Sequence, residues 1–295
     1  MKGTYSQREV VQADELVINW HLAQAGNYRC KYCYAHWDKE RGAKDVARSP
    51  AATRTLLASI RDFFDPDNLS NPLRETMRWR RVRLSIAGGE PMLYGERVGR
   101  IVKIAEQLGF RISLITNGSL LPDAGMEELA SYLSMLGMSI DSVNPDTNHR
   151  IGRKSRDGVL SLDGMAEKIE LARRANPILK IKINTVVNAL NAHEYLGGLI
   201  ERVRPDRWKV LRVLPVIDSS LAVSDVDFQG FLQRHEAFAA LMAPEDNRLM
   251  TESYIMVDPL GRFFQNVSPA AGSAGYRYSS PILVGGIASA VSSIR

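Results

Sequence analysis

The feature that most constrains this chain is a change of hydrophobic period that keeps repeating. Short β-rich runs at 16–20, 82–86, 110–115, 138–140, 178–187 and 208–214 alternate with stretches at 49–64, 97–108, 126–136, 162–175, 194–203 and 227–241, whose apolar residues recur three and four apart. The first kind of spacing lines one face of a strand and the second one face of a helix. Strand and helix in repeated alternation predict parallel strands joined by crossover helices. A doubly wound sheet and a full or partial (β/α) barrel both satisfy the pattern. Ser49-Pro50 supplies a capping hydroxyl and a proline at the first helical position. After residue 241 the rhythm breaks. Runs at 253–257 and 262–265 flank Asp258-Pro259-Leu260-Gly261, which predicts a β-hairpin. Residues 266–280 read as a loop and 281–295 as one last helix. The expected organisation is an N-terminal extension over 1–14, the repeating unit over 15–242 and a C-terminal extension over 243–295.

Composition narrows the class. With 295 residues, 45% hydrophobic and 24% charged, the chain can bury a large core without staples. No apolar run approaches the ~18 residues of a membrane helix, and the first eight residues hold no apolar signal segment. Two cysteines in the whole chain argue against an oxidising compartment, so a cytoplasmic location is expected. The net charge of +5 fits an anionic ligand without identifying one.

Polar residues then break the pattern in an ordered way. In the fifth strand Lys180, Lys182 and Asn184 are two apart and share one face, while Ile181 and Ile183 take the other. The sixth strand begins the same way, with Arg207 and Lys209 alternating with Trp208 and Val210. Leu211 and Arg212 then fall on the wrong faces, so Arg212 needs a separate account. Strands of a parallel sheet are usually apolar on both faces, and unpaired buried cations are very costly. These are either edge strands with one wet face or the wall of a basic lumen that holds a phosphorylated ligand.

Loops with binding character follow the strands. Gly88-Gly89-Glu90-Pro91 follows the second strand, and paired glycines permit close backbone approach. Thr116-Asn117-Gly118-Ser119 follows the third, and Ser139, Asp141 and Ser142 close the fourth. Successive polar loops at one end of the strands are where (β/α) folds build their sites. Cys30 and Cys33 lie in the loop after the first strand, at that same end. A Cys-x-x-Cys pair reads as a redox couple, half a zinc site with His21 or His36 nearby, an incidental pair, or part of an iron–sulfur site.

The segments Asn27-Tyr28-Arg29-Cys30, Ala87-Gly88-Gly89-Glu90-Pro91, Thr116-Asn117-Gly118-Ser119-Leu120, Ser139-Ile140-Asp141-Ser142, Ile151-Gly152-Arg153, Lys182-Ile183-Asn184-Thr185, Arg207-Trp208-Lys209-Val210 and Glu252-Ser253-Tyr254 occur in that order. Together they resemble the radical SAM enzymes and, within them, the viperin-like antiviral nucleotide dehydratases. The resemblance implies an α/β fold, a partial (β/α)6 barrel with a C-terminal hairpin and helix. It implies a [4Fe–4S] cluster on three thiolates, with S-adenosylmethionine on the fourth iron. One electron from a reductase or flavodoxin would release a 5′-deoxyadenosyl radical. The substrate would be a nucleoside triphosphate (CTP, UTP or GTP) and the product its 3′-deoxy-3′,4′-didehydro form. By the same resemblance Cys30 and Cys33 match cluster ligands. Gly88, Gly89, Glu90, Asn117, Ser139 and Arg153 match contacts to S-adenosylmethionine. Lys182, Asn184, Arg207 and Lys209 match groups around the triphosphate. A monomer is expected, with neither nucleic acid nor membrane as partner, since the amphipathic N-terminal helix of animal members has no counterpart here.

Three departures qualify this picture. Gly26 stands where the first cluster cysteine belongs, and glycine cannot bind iron. The sequence ends at Arg295, so the family's last substrate-covering segment is expected to be missing. Arg83 and Ala87 replace a Lys and a Ser of animal members. The expectation is therefore a nucleotide dehydratase impaired at Gly26. Its rivals are a pseudoenzyme that only binds nucleotide or S-adenosylmethionine, and an enzyme with water, His21 or His36 as substitute ligand.

Overall fold

The computed structural model describes residues 10–33, 45–156, 158–214, 219–246, 254–267 and 275–294. His36, Glu252 and Ser253 lie outside the described residues, as does part of the expected loop at 266–280. Six strands form the expected parallel array: β1 (Val11–His21), β2 (Met77–Ala87), β3 (Arg111–Thr116), β4 (Met135–Ser139), β5 (Lys180–Val187) and β6 (Arg207–Arg212). β7 (Met242–Glu245) adds in parallel to β6, and β8 (Ile255–Val257) in parallel to β1. β9 (Arg262–Val267) and β10 (Gly275–Pro281) continue antiparallel. The sheet order is β10-β9-β8-β1-β2-β3-β4-β5-β6-β7, so β7 and β10 are its two edges and the barrel is open.

The helices are α1 (Pro50–Phe63), α2 (Glu96–Gln107), α3 (Met126–Tyr132), α4 (Pro145–Ile151), α5 (Leu162–Ala175), α6 (Gly197–Val203), α7 (Asp225–Arg234), α8 (Ile282–Gly285) and α9 (Ile287–Ser292). Ser49 caps α1 as its sequence predicts, accepting from the Ala52 N–H. Ser161 and Ser224 cap α5 and α7 in the same way. Alternate residues of each strand fill the core. Leu16, Ile18 and Trp20 of β1, Val82, Leu84 and Ile86 of β2, and Ile181, Ile183, Trp208 and Val210 of β5 and β6 are buried in one cluster. That cluster also holds Leu57, Ile60, Ile101, Ile169 and Phe231 from the helices. Burying side chains of this size is worth about 1.5–3 kcal/mol each. The other residues of each strand face the opposite side of the sheet.

Several expected boundaries move. The apolar run 126–136, read as one helix, divides: α3 stops at Tyr132, and Met135–Ser139 becomes β4 by pairing Met135 with Ser113. The helix expected over 227–241 ends at Arg234, and β7 follows a short 3-10 turn. The hairpin is present as β8 and β9, but it extends the main sheet beside β1, and β10 occupies the end of the expected loop. The last helix is two, because Gly286 at φ +78° interrupts it. α4 was not foreseen. Asn144 caps it, and Pro145 sits at its first position.

Candidate active site

The cysteine loop and the Gly-Gly-Glu loop are stitched together by backbone. The Gly89 N–H donates to the Ala23 carbonyl at 2.7 Å and the Glu90 N–H to the Ala25 carbonyl at 2.8 Å. A Cβ on Gly89 would lie 1.9 Å from the Ala25 oxygen, so only glycine permits this approach. From the other side, the Arg29 N–H donates to Gly152 and the Lys31 N–H to Ile151, both at 3.0 Å. Gly152, at φ +93°, leaves no room for a side chain against the Arg29 carbonyl. The cysteine loop is therefore clamped between the ends of β2 and α4. Burial pushes the Cys30 thiol up to about 11.

Glu90 is fully buried. Its carboxylate accepts from the Met92 N–H at 3.0 Å, the Thr116 hydroxyl at 2.7 Å and the Asn117 N–H at 2.8 Å. Desolvation raises its pKa against those three bonds. Glu90 thus ties the loop after β2 to the loop after β3. Asn117 donates to the Asn27 side chain at 2.8 Å and accepts from the Ser119 N–H at 2.9 Å. Arg153 is buried, with Nη1 3.0 Å from the Tyr32 hydroxyl and 3.4 Å from Asp141 Oδ2. Its Nη2 donates to the Ser139 carbonyl, and the guanidinium lies 5.6 Å over the Tyr28 ring. Asn117, Ser139 and Arg153 line one cleft with Tyr28, Ser142 and Asn148. Tyr28, Tyr32 and Asp141 carry no assignment from the sequence. Their signal is only that they adjoin the cysteines and the end of β4.

Deeper in the lumen the cationic face is real. Register places Ser139, Asn184 and Lys209 in one row across β4, β5 and β6, and Gly137, Lys182 and Arg207 in the next. Burial, then Lys209, Arg207 and Arg83, lower the Lys182 ammonium to about 7. Arg83 joins this wall from β2 and is held by Glu15 of β1 at 2.9 Å, which also pairs Arg111 at 3.0 Å. Lys209 meets Glu245 of β7 at 2.8 Å. Arg212 does not belong to the lumen. It bonds the Asp225 carboxylate and the Val223 carbonyl, the latter at 2.6 Å, and so anchors the start of α7. Glu15 and Glu245 were missed, although Glu15 falls on the odd-numbered face of β1 that points the same way.

A [4Fe–4S] cluster needs thiolates to hold its irons, and Cys30, Cys33 and Gly26 supply two sulfurs and no third. Among the described residues no three His, Cys, Asp or Glu side chains gather to hold a metal ion. His21, at the end of β1, packs edge-on against Phe264 at 5.0 Å, and burial lowers its pKa to about 4. The cluster does not fit these residues. The cleft presents the Arg153 guanidinium, the amides of Asn117 and Asn148 and the hydroxyls of Tyr28, Ser139 and Ser142, groups of the kind that hold the polar ends of S-adenosylmethionine.

The Radical SAM superfamily model matches residues 22–187. The fold is shared with Streptococcus suis SuiB bound to its precursor peptide SuiA, at a TM-score of 0.61 and 14% identity over 84% of this chain and 58% of that one. It is shared also with anSMEcpe with bound AdoMet, at a TM-score of 0.60 and 14% identity over 85% and 73%. Closer in sequence are proteins named S-adenosylmethionine-dependent nucleotide dehydratase. The one from Pseudoalteromonas ulvae is 39% identical over 94% of this chain and 88% of its own length. That from Psychrobacter lutiphocae is 39% identical over 95% and 91%. A radical SAM protein by its family match and its fold, this chain belongs to the viperin-like family of S-adenosylmethionine-dependent nucleotide dehydratases.

Proposed function

We propose that this protein binds a nucleoside triphosphate in the cationic lumen and S-adenosylmethionine in the cleft above it, as a nucleotide dehydratase of antiviral defence whose turnover is impaired at Gly26. The observation that carries this reading is the row Ser139–Asn184–Lys209. It joins the wall of the cleft to the wall of the lumen, so two ligands would meet end to end. Arg153 and the glycine loop would hold the methionine end of S-adenosylmethionine, with Asn117 and Ser139 beside it. When bound in an intact member of the family, that cofactor supplies the hydrogen-abstracting chemistry. Lys182, Arg207 and Lys209 would hold the phosphates, and Asn184 would orient the ribose between them. With two cluster thiols rather than three, binding outlasts chemistry in this chain.

Calorimetry with CTP, UTP and GTP, each against its bare nucleoside, tests the lumen. Charge-assisted phosphate contacts are worth about 1.5–3 kcal/mol each. Lys182→Ala or Lys209→Ala should therefore weaken triphosphate binding roughly 10- to 150-fold. Equal affinity for nucleoside and triphosphate would overturn the reading. Anaerobic reconstitution of the unaltered chain should give little iron–sulfur absorbance, and Gly26→Cys should restore it. A full cluster without that change would mean a substitute ligand.

A further inference from the structure

The lumen cation Lys209 is held by an acid of the neighbouring strand. Its ammonium lies 2.8 Å from Glu245 Oε1 and 2.5 Å from the Tyr254 hydroxyl, over whose ring it also sits at 4.7 Å. The Tyr254 hydroxyl donates to the other Glu245 oxygen. The side chains of Lys209 and Glu245 are 12% and 20% exposed, so the pair is largely withdrawn from water. Glu245 belongs to β7 at one edge of the sheet. Tyr254 leads into β8, which pairs with β1 on the far side. The three side chains therefore bridge edge strand β7 and the start of β8, which no backbone ladder joins among the described residues. Glu245 presents to Lys209 what a phosphate would present: an anionic oxygen at hydrogen-bond distance, here with its second oxygen held by the Tyr254 hydroxyl.

We propose that Glu245 is a specificity-determining residue, an internal stand-in for phosphate that a ligand must displace from Lys209. This rests on the nucleotide reading above and deepens it. The competition has a direction. A ligand without phosphates leaves the Lys209–Glu245 pair intact and is indifferent to it. A triphosphate reaching Lys209 brings its negative charge against the Glu245 carboxylate and must take over the ammonium. Its contacts with Lys182 and Arg207 offset that cost. Glu245 thereby filters for ligands with enough phosphates to engage several cations at once. It also keeps the lumen from holding stray small anions at this position, because its own carboxylate already neutralises the Lys209 ammonium.

Glu245→Gln keeps the shape and the hydrogen bonds but removes the charge. At pH 6, where Lys182 keeps its proton, it should tighten triphosphate binding roughly tenfold, about the worth of one charge-assisted hydrogen bond released to the ligand. Binding of the bare nucleoside should not change, and inorganic phosphate, unbound by the unaltered protein, should become measurable. Tyr254→Phe removes only the hydroxyl that braces Glu245 and should shift triphosphate affinity the same way by a smaller factor. This second variant keeps the test open if the first does not fold. If triphosphate binds the unaltered protein through Lys209, but both variants bind it equally or more weakly, the displacement idea is overturned and the nucleotide reading survives. If the unaltered protein and Lys209→Ala bind triphosphate alike, both fall together.

Discussion

Lys182 sits among Arg83, Arg207 and Lys209 in a wall that water reaches poorly, and burial together with those charges brings its pKa from 10.5 to about 7. Between those two values the unfolded chain holds more protons than the folded one. This residue's contribution to stability therefore rises with pH from about 7 to 10.5 and is least favourable below 7. Ligand binding runs the other way. A triphosphate favours the charged ammonium, so at pH 8 its binding should take up close to one proton, and affinity should fall as pH rises above 7. Calorimetry in two buffers of different ionisation enthalpy reads the uptake directly, and Lys182→Met should abolish it. Heats independent of the buffer would show that Lys182 is already protonated and faces no anion. At this scale the sequence was informative about the cations and silent about their acids. Lys182 and Lys209 stand out because each breaks the apolar pattern of its own strand, β5 or β6. Glu15 and Glu245 are ordinary residues until register sets them beside Arg83 and Lys209.

Elements are joined by buried polar contacts that periodicity cannot foresee. His235, just after α7, is fully buried and stacks on Tyr195 at 5.1 Å. Its Nδ1 contacts the Phe231 carbonyl at 2.8 Å and its Nε2 accepts the Leu196 N–H at 2.8 Å. The pair of contacts assigns the proton to Nδ1, since only that tautomer leaves Nε2 free to accept. Burial lowers its pKa from 6.5. Between the folded and unfolded values the unfolded chain binds the extra proton, so stability falls as pH drops below 6.5. His21 acts in the same sense as pH falls from 6.5 to about 4. In urea unfolding, His235→Phe should cost about 1–3 kcal/mol at pH 7, because the Leu196 N–H loses its acceptor. It should also lose less stability than the unaltered protein between pH 7 and pH 5. Identical acid slopes would show that His235 does not titrate in this range. Element type was otherwise readable from period wherever one partner dominated. It failed at 133–136, where apolar residues suit a helix end and a strand start alike, and pairing of Met135 with Ser113 decided for β4.

The whole molecule is a curved sheet with helices over one face and a charged lumen on the other, open between its edge strands β7 and β10. A ligand that binds only this folded arrangement must stabilise it. At 100 times its dissociation constant a triphosphate should add about 2.7 kcal/mol, which raises the melting temperature by roughly 4–5 °C for a chain of this size. The bare nucleoside at the same concentration should do much less, and added salt should erode the difference. An equal shift with nucleoside would mean that the phosphates find no site in the lumen. What the sequence determined by itself is local or periodic. Strand and helix order, the capped start of α1, the cationic faces of β5 and β6, and the glycines after β2 all follow from residues a few positions apart. So does the family, because its motifs are short and ordered. The tertiary structure alone decided that Glu90 spans two loops, that Arg212 turns away to α7, and that Glu245 and Tyr254 close on Lys209 from β7 and the start of β8. Those contacts join residues 11 to 45 positions apart, and their placement depends on sheet register and curvature, which no local pattern encodes.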